Sequence, residues 1–411
     1  MTNHYIRQGA TGSNTGTDWT NAWTALPAAL FRGDTYYIAT GSYGSYTFDD
    51  PVSGTQYITI KKAISSDHGT DAGWQSSYGD GQTIFSGWTF NTNYLTIDGQ
   101  VGGGPNSWNM GHGIAVRNLA AHLIYGNTIL VSNITLLHIE IDGTSNEPAD
   151  RDAVYLISGA KDLTMRYMYI HDIGCDIFQL RGNFTNFTLE YSKLSRNNSS
   201  ASCHGDVFEY DNGTALNWIH RYNLFEDVEG TYLWGTHESG TFDGAQIYGN
   251  VIYRKSAGQF SNGMVSALSG GGTIQNIRFY NNTIYGLDIN VAGFGYIRGS
   301  NNLVYNNIWY LNGASLNLDG VTHDYNWFYN AGNQNETHIQ TGSSNPFINS
   351  INGDFHLLTP TNAGLTLPIP YNIDPDGNIR GADGIWDRGA FEYSENVTCP
   401  TPIVSFTMSL I

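Results

Sequence analysis

Tyr280-Asn281-Asn282-Thr283-Ile284-Tyr285-Gly286 reads as a turn followed by a short strand, and it recurs along the chain. Tyr248-Gly249-Asn250-Val251-Ile252-Tyr253 precedes it and Tyr305-Asn306-Asn307-Ile308-Trp309-Tyr310 follows it. Tyr222-Asn223-Leu224-Phe225 and Tyr325-Asn326-Trp327-Phe328 are shorter copies, and Tyr167 and Tyr191 head looser ones. The leading tyrosines stand 20 to 32 residues apart. A period in that range marks a repeat architecture. Strands this short cannot hold a core alone, so they stack coil on coil, in parallel, about 4.8 Å apart.

A second column keeps step with the first. Asp152-Ala153-Val154-Tyr155-Leu156, Asp176-Ile177-Phe178-Gln179-Leu180 and Asp206-Val207-Phe208-Glu209-Tyr210 each begin 15 or 16 residues before a ladder tyrosine. Thr231-Tyr232-Leu233-Trp234-Gly235 and Met264-Val265-Ser266-Ala267-Leu268 continue the column. Its third and fifth positions are mostly large and apolar and are expected to point inward. The fourth (Tyr155, Gln179, Glu209, Trp234) is expected to point out. Asn250, Asn282 and Asn307 share one turn, where asparagine tolerates left-handed backbone and can bond along the stack. We read them as structural.

Composition agrees with short strands and tight turns. Of 411 residues, 49 are Gly and 27 are Tyr, and only 13% are charged. The formal net charge is −18 with 18 Lys+Arg. Such a chain offers no basic stripe for nucleic acid or for an anionic membrane surface, and no apolar run is long enough to span a bilayer. A surface of amides, hydroxyls and aromatic rings suits a polysaccharide or cell-surface glycan. The first residues carry neither a basic nor an apolar leader region. We therefore expect an extracellular or virion-associated protein whose signal has been removed, or which is released by another route such as lysis of a phage-infected host. Cys175, Cys203 and Cys399 form neither a disulfide framework nor a zinc spacing. Cys175 and Cys203 on neighbouring coils leave two states open: buried thiols, the commoner one, or a bridge.

The chain divides into four parts on this reading. Residues 1–32 hold a strand and a capping helix over Trp19 to Phe31, begun by Asp18 and made irregular by Pro27. Residues 33–344 are the coils, roughly ten of them. Residues 345–393 close the last coil, with Arg380 placed to pair with Asp387. Residues 394–411 are a tail with one amphipathic strand, Val404, Phe406, Met408 and Leu410 alternating with Ser and Thr.

The Tyr/Asn turns, the opening Gly33-Asp34-Thr35-Tyr36-Tyr37-Ile38 and the ending resemble the right-handed parallel β-helix (pectate lyase-like) superfamily. The ending comprises Asn345-Pro346-Phe347, Gly353-Asp354-Phe355-His356-Leu357, Asp374-Pro375-Asp376-Gly377-Asn378-Ile379-Arg380 and Asp387-Arg388-Gly389-Ala390-Phe391-Glu392-Tyr393. The resemblance covers nearly everything from Tyr5 to Tyr393. It implies an all-β, single-stranded right-handed parallel β-helix. The superfamily includes polysaccharide lyases, glycoside hydrolases and phage tailspikes, so it does not choose a chemistry. It also makes a homotrimer an expectation.

The sharpest chemical candidate is the column Asp152, Asp176 and Asp206. Three carboxylates about 5 Å apart repel unless a proton or a cation sits among them. Either each aspartate caps its own turn, or the column binds a metal, for which Ca2+ is the fitting ion. In a lyase, Asp176, Asp206, Glu209 and His204 would form the catalytic set, with Lys193, Arg181, Arg196 and His204 as candidate bases. In a hydrolase, Asp176, Asp206 and Glu209 would supply the acid and base pair. His171 and Asp172 are expected near the column. Tyr155, Tyr232, Trp234, Gln179, Arg181 and His237 are the candidate substrate-binding residues. Cys203-His204-Gly205-Asp206 only faintly resembles the Gly-His-Gly of pectin hydrolases, whose adjacent aspartates are missing here. The second function class is a non-catalytic structural or adhesin fibre, with the carboxylates bound by their own turns.

Overall fold

The computed structural model of the chain describes residues 1–105, 107–117, 122–144, 151–197, 203, 205–236, 239–254, 260–267, 272–286, 295–311, 316–318, 320–329, 334–342 and 344–395. Among these residues the coils lay strands on three parallel sheets, here A, B and C, which hold 15, 12 and 8 strands, and three coils split their sheet A strand in two (Thr214–Leu216 and Ile219–Arg221, Thr241–Asp243 and Gln246–Tyr248, Thr273–Gln275 and Arg278–Tyr280). A strand on A is followed by one on B and one on C, and the chain then returns to A beside its starting strand. The crossover is the right-handed one that twisted strands favour, and the fold is a right-handed parallel β-helix.

The register shows why the sequence folds this way. Leu136, Met165, Leu189, His220, Ile247, Phe279 and Val304 are stacked neighbours on sheet A. All but His220 are apolar and all are buried. Burying each large apolar side chain contributes about 1.5–3 kcal/mol, so the interior column holds the coils together. Trp234 Nε1–H donates to His220 Nδ1 at 2.8 Å. Burial pushes the His220 imidazole down to about 3, so it sits in the core uncharged.

The asparagines form a buried ladder between sheets A and B. The backbone N–H of Asn223 donates to Asn250 Oδ1 (3.0 Å), that of Asn250 to Asn282 (3.0 Å), that of Asn282 to Asn307 (2.8 Å) and that of Asn307 to Asn326 (2.9 Å). Glu336 ends the run by accepting the Asn326 backbone N–H at 2.9 Å. The tyrosines resolve into two adjacent columns. Tyr167, Tyr191, Tyr222 and Tyr325 are themselves the left-handed turn residue, with φ between 51° and 60°. Tyr248, Tyr280 and Tyr305 lie one place earlier, followed by Gly249, Asn281 and Asn306 in that conformation. Gly249 is required in its coil, because a Cβ there would stand 2.7 Å from the Tyr222 ring.

Two expectations about the ends change. The helix over Trp19–Phe31 is not formed. The segment is a series of bends joined to the first strand by a bridge from Trp23 to Ile6. Asp18 does accept the Asn21 backbone N–H at 2.7 Å, as a helix cap would. Pro27, however, removes a donor, and Trp19 and Ala22 bury themselves against Tyr5, Tyr37 and Ala39 instead. The closing segment bonds the last coil, Arg388 donating to Asn326 O and the Asn362 N–H to Gln340 Oε1, but it is not confined there. It runs back along the outside of sheets A and B. Phe347, Phe355 and Leu357 pack on Tyr253, Tyr285 and Tyr310, and Leu367 and Trp386 pack on Tyr222, Tyr248 and Tyr280. Arg380 takes Glu392 as its ionic partner at 3.7 Å and donates to the backbone carbonyl of Asp387 rather than to its carboxylate. The amphipathic tail strand lies outside the described residues. Among the described residues no helix is long and apolar enough to cross a membrane.

Candidate active site

Sheet C carries the acidic column. Val154, Phe178 and Phe208 are stacked neighbours on its inner side. Two residues earlier, at the turn into each strand, stand Asp152, Asp176 and Asp206. Each aspartate reaches to the next coil. The Asp176 N–H donates to Asp152 Oδ1 at 3.2 Å, and the Asp206 N–H donates to Asp176 Oδ1 at 2.6 Å. Asp206 Oδ1 accepts the N–H groups of Thr231 and, at 2.8 Å, Tyr232. The column is therefore a set of turn caps, and it is buried.

It is also a convergence of carboxylates. One oxygen each of Asp176, Asp206 and Glu209 lies within 4.8 Å of the others. Burial raises Asp176 well above the usual carboxylate range, and the charges of Glu209, Asp206 and Asp152 add to it. Glu209 is pushed up to about 8, first by burial, then by its hydrogen bond to Asp211 and the charge of Asp206. Asp176 and Glu209 are hydrogen-bonded to each other. In the absence of a cation, burial and the neighbouring carboxylates favour the protonated form of both groups. The donor set is all oxygen and the like charges are compressed, which fits a hard divalent cation.

The outer face of sheet C leads to this cluster. Tyr125, Tyr155, Gln179 and Glu209 follow one another in register along the axis. The Tyr125 and Tyr155 rings are parallel at 5.7 Å, and His122 stacks on Tyr155 at 4.1 Å. His122 Nδ1 lies 3.1 Å from Asp152 Oδ2, so the half-exposed ring platform is tied to the acidic column. Gly235 follows Glu209 in register. A Cβ there would lie 2.1 Å from the Tyr232 ring, which folds over that position after a bulge between Gly230 and Tyr232. Arg181 stands beside Asp211 in register.

Several expected site residues move. Trp234 is not on the outer face. It pairs with Phe208, not with Glu209, and is fully buried. The column that sets Trp234 beside Glu209 is one residue out of register, and a one-residue slip reverses every side chain. Lys193, Arg196, His171 and Asp172 are on or beside sheet B, away from the column. Lys193 pairs with Glu226, and Arg196 holds Asp172 at 2.6 Å. Cys175 and Cys203 are joined as a disulfide, with Cα atoms 5.8 Å apart, rather than remaining thiols. Successive coils bring the two turns into contact, which spacing along the chain did not decide. His204 and His237 lie outside the described residues.

Sequence reading missed the sheet B cluster. His171 Nε2 lies 3.2 Å from Glu140 Oε1 and its Nδ1 lies 2.6 Å from Asp172 Oδ2. Asp142 is in register with both His171 and Arg117, and Arg117 lies 3.5 Å from Glu140. Burial opposes the charge on His171, yet the flanking carboxylates outweigh it and raise the imidazole. Positive and negative groups compensate one another here, whereas in the sheet C cluster neighbouring carboxylates raise Asp176 and Glu209. His122 and Tyr125 were missed for another reason: the repeats before residue 151 are too irregular to extend the column backward.

No family model matches the chain, and no curated protein matches it either. Among solved structures, the chain is similar to pectate lyase Pel9A, with 13% identity, a TM-score of 0.47, and coverage of 96% of this chain and 98% of that one. It is also similar to a mannuronic acid specific polysaccharide family 6 lyase from human gut microbiota, with 11% identity, a TM-score of 0.38 and coverage of 76% and 78%. A third is the PL6 family alginate lyase AlyGC, with 10% identity, a TM-score of 0.30 and coverage of 76% and 51%.

Proposed function

We propose that the protein cleaves an acidic polysaccharide outside the cell, as a cation-dependent lyase whose substrate lies along the outer face of sheet C. The observation that carries this reading is the convergence of Asp176, Asp206 and Glu209 within 4.8 Å. Hydrolases place their two carboxyls roughly 5–5.5 Å apart when retaining and about 6.5–9.5 Å apart when inverting. Three buried carboxylates closer than either spacing suit one hard cation better than an acid and base flanking a glycosidic bond. Asp176, Asp206 and Glu209 would hold the ion, with Asp152 supporting Asp176. Bound there, Ca2+ supplies neutralisation of a uronate carboxylate, which acidifies the carbon-bound hydrogen beside it.

The chain's own residues do the rest. The Tyr125, Tyr155 and His122 rings stack against sugar faces, and Gln179 hydrogen-bonds hydroxyls. Arg181 binds a carboxylate, which a protein of net charge −18 otherwise repels. His204, two residues before Asp206, is the base proposed from its place in the chain, and His237 a further sugar contact. A second reading is supported by the backbone N–H groups bound to Asp152, Asp176 and Asp206. It makes the column scaffold in a non-catalytic glycan-binding fibre, trimeric and virion-associated.

A panel of uronate-containing and neutral glycans, assayed for unsaturated-product absorbance and for reducing ends with and without a chelator, tests the choice. Unsaturated product that disappears on chelation supports the lyase. No product on any glycan, with Asp176→Asn still binding glycan normally, leaves the fibre.

A further inference from the structure

We infer that the Cys175–Cys203 disulfide positions the acidic cluster, and that breaking it weakens cation binding there; this rests on the cation reading of the site given above. Cys175 immediately precedes Asp176, and Cys203 lies three residues before Asp206. The bridge thus joins the two turns that carry the two aspartates. It spans the same step of the stack in which the Asp206 N–H donates to Asp176 Oδ1 at 2.6 Å.

The need for a bridge at this step follows from coil length. Ile173 and Asn197 are register partners at the end of sheet B. From Ile173 the chain reaches Asp176 in three residues, whereas from Asn197 it reaches Asp206 in nine. The segment that delivers Asp206 is therefore the longer in sequence. A longer turn has more conformations to lose, and the carboxylate it delivers approaches two others of like charge. The disulfide fixes that turn to the short one, and the Gly205 N–H, donating to Cys203 Sγ at 3.3 Å, carries the constraint on to Asp206. Asn197 Nδ2 holds Gly205 from the other side, donating to its carbonyl. Both sulfurs are buried, so the link is part of the packed turn.

The test is a calorimetric Ca2+ titration of the full chain in three forms: oxidised, reduced with a water-soluble phosphine, and Cys175→Ser/Cys203→Ser. In the reduction the S–S bond breaks, phosphorus is oxidised to the phosphine oxide with oxygen from water, and the two water hydrogens end on the thiols. The expected result is binding weaker by about tenfold or more in the reduced and double-serine forms, with the far-UV circular dichroism unchanged. Equal affinity in all three forms overturns this inference and leaves the cation reading standing. No binding in any form overturns the cation reading and this inference with it. If the serine pair does not fold, Cys175→Ala/Cys203→Ala, which buries no hydroxyl, takes its place in the same titration.

Discussion

Asp206 donates its backbone N–H to Asp176 Oδ1 at 2.6 Å, so a carboxylate of the candidate cation cluster is also the anchor of the next coil. The two roles separate by substitution. Asp206 Oδ1 accepts from Thr231 and Tyr232. Asp206→Ala strands two buried N–H groups and is expected to cost roughly 2–4 kcal/mol. Asp206→Asn keeps the acceptor and is expected to cost far less. Urea denaturation measures both. Equal losses for the two variants would rule out the capping role.

Cation binding has its own signature in stability. Ca2+ at a hundred times its dissociation constant is expected to stabilise the fold by about 2.7 kcal/mol. Asp176→Asn removes one formal charge from the set and is expected to abolish that gain. Thermal melts with Ca2+ and with chelator report it.

Trp234 and Tyr155 are expected to behave oppositely. Trp234→Ala empties a core position and is expected to cost about 3–5 kcal/mol, a loss read as a lower denaturation midpoint. Tyr155→Ala removes a half-exposed ring from the Tyr125 and His122 stack. Its expected effect is weaker glycan binding with stability changed by about 1 kcal/mol or less. Affinity electrophoresis in glycan gels separates the two outcomes.

The asparagine ladder predicts a steep local cost. The Asn282 side chain accepts from Asn250 and donates to Ile247 O at 3.0 Å and to Asn307 Oδ1 at 3.1 Å. Asn282→Ala is expected to lose about 3 kcal/mol. Asn282→Asp, of nearly equal size, aims an anion at the Asn307 oxygen and is expected to fare no better. Should the aspartate variant match the wild-type midpoint at pH 7, hydrogen bonding through this ladder is not what holds the turn.

His356 gives the closing segment a pH dependence. Burial lowers its pKa, but Asp354 and Asp376, each 2.6 Å away, together outweigh that and raise it to about 9. The folded value exceeds the unfolded value of about 6.5. The stabilisation is therefore complete below pH 6.5 and is lost as pH rises through 9. His356→Gln is expected to flatten stability between pH 7 and 10, as followed by chemical denaturation across that range.

The regular part of the chain was legible because one turn chemistry repeats. Asn250, Asn282 and Asn307 announced the coil, and counting back from the tyrosines put Asp152, Asp176 and Asp206 in one column, as the registers of Val154, Phe178 and Phe208 show. The same counting failed at Trp234. Trp234 is the partner of Phe208, one place away from Glu209, and the slide of the ladder tyrosine, with Tyr248 opposite Arg221 and not Tyr222, hid that offset. Asp18 and the apolar spacing around Trp19 imitate a helix start, but burial beside Tyr5 and Tyr37 decided otherwise. Glu140, Asp142 and His171 carry no local signal at all, since only stacking brings them together.

The closing segment makes lateral ties to several successive coils. Tyr222 donates its hydroxyl to Ile373 O, Tyr371 to Gln246 Oε1, Asn306 Nδ2 to Leu365 O, and Arg388 to Asn326 O. A bare solenoid has only nearest-neighbour bonds and frays from its end, one coil after another. Here the coils from Tyr222 to Asn326 share a strap, so none of them opens without releasing it. Amide hydrogen exchange across that span should therefore collapse to a single opening free energy, making the C-terminal half one cooperative unit instead of a row of independent ones.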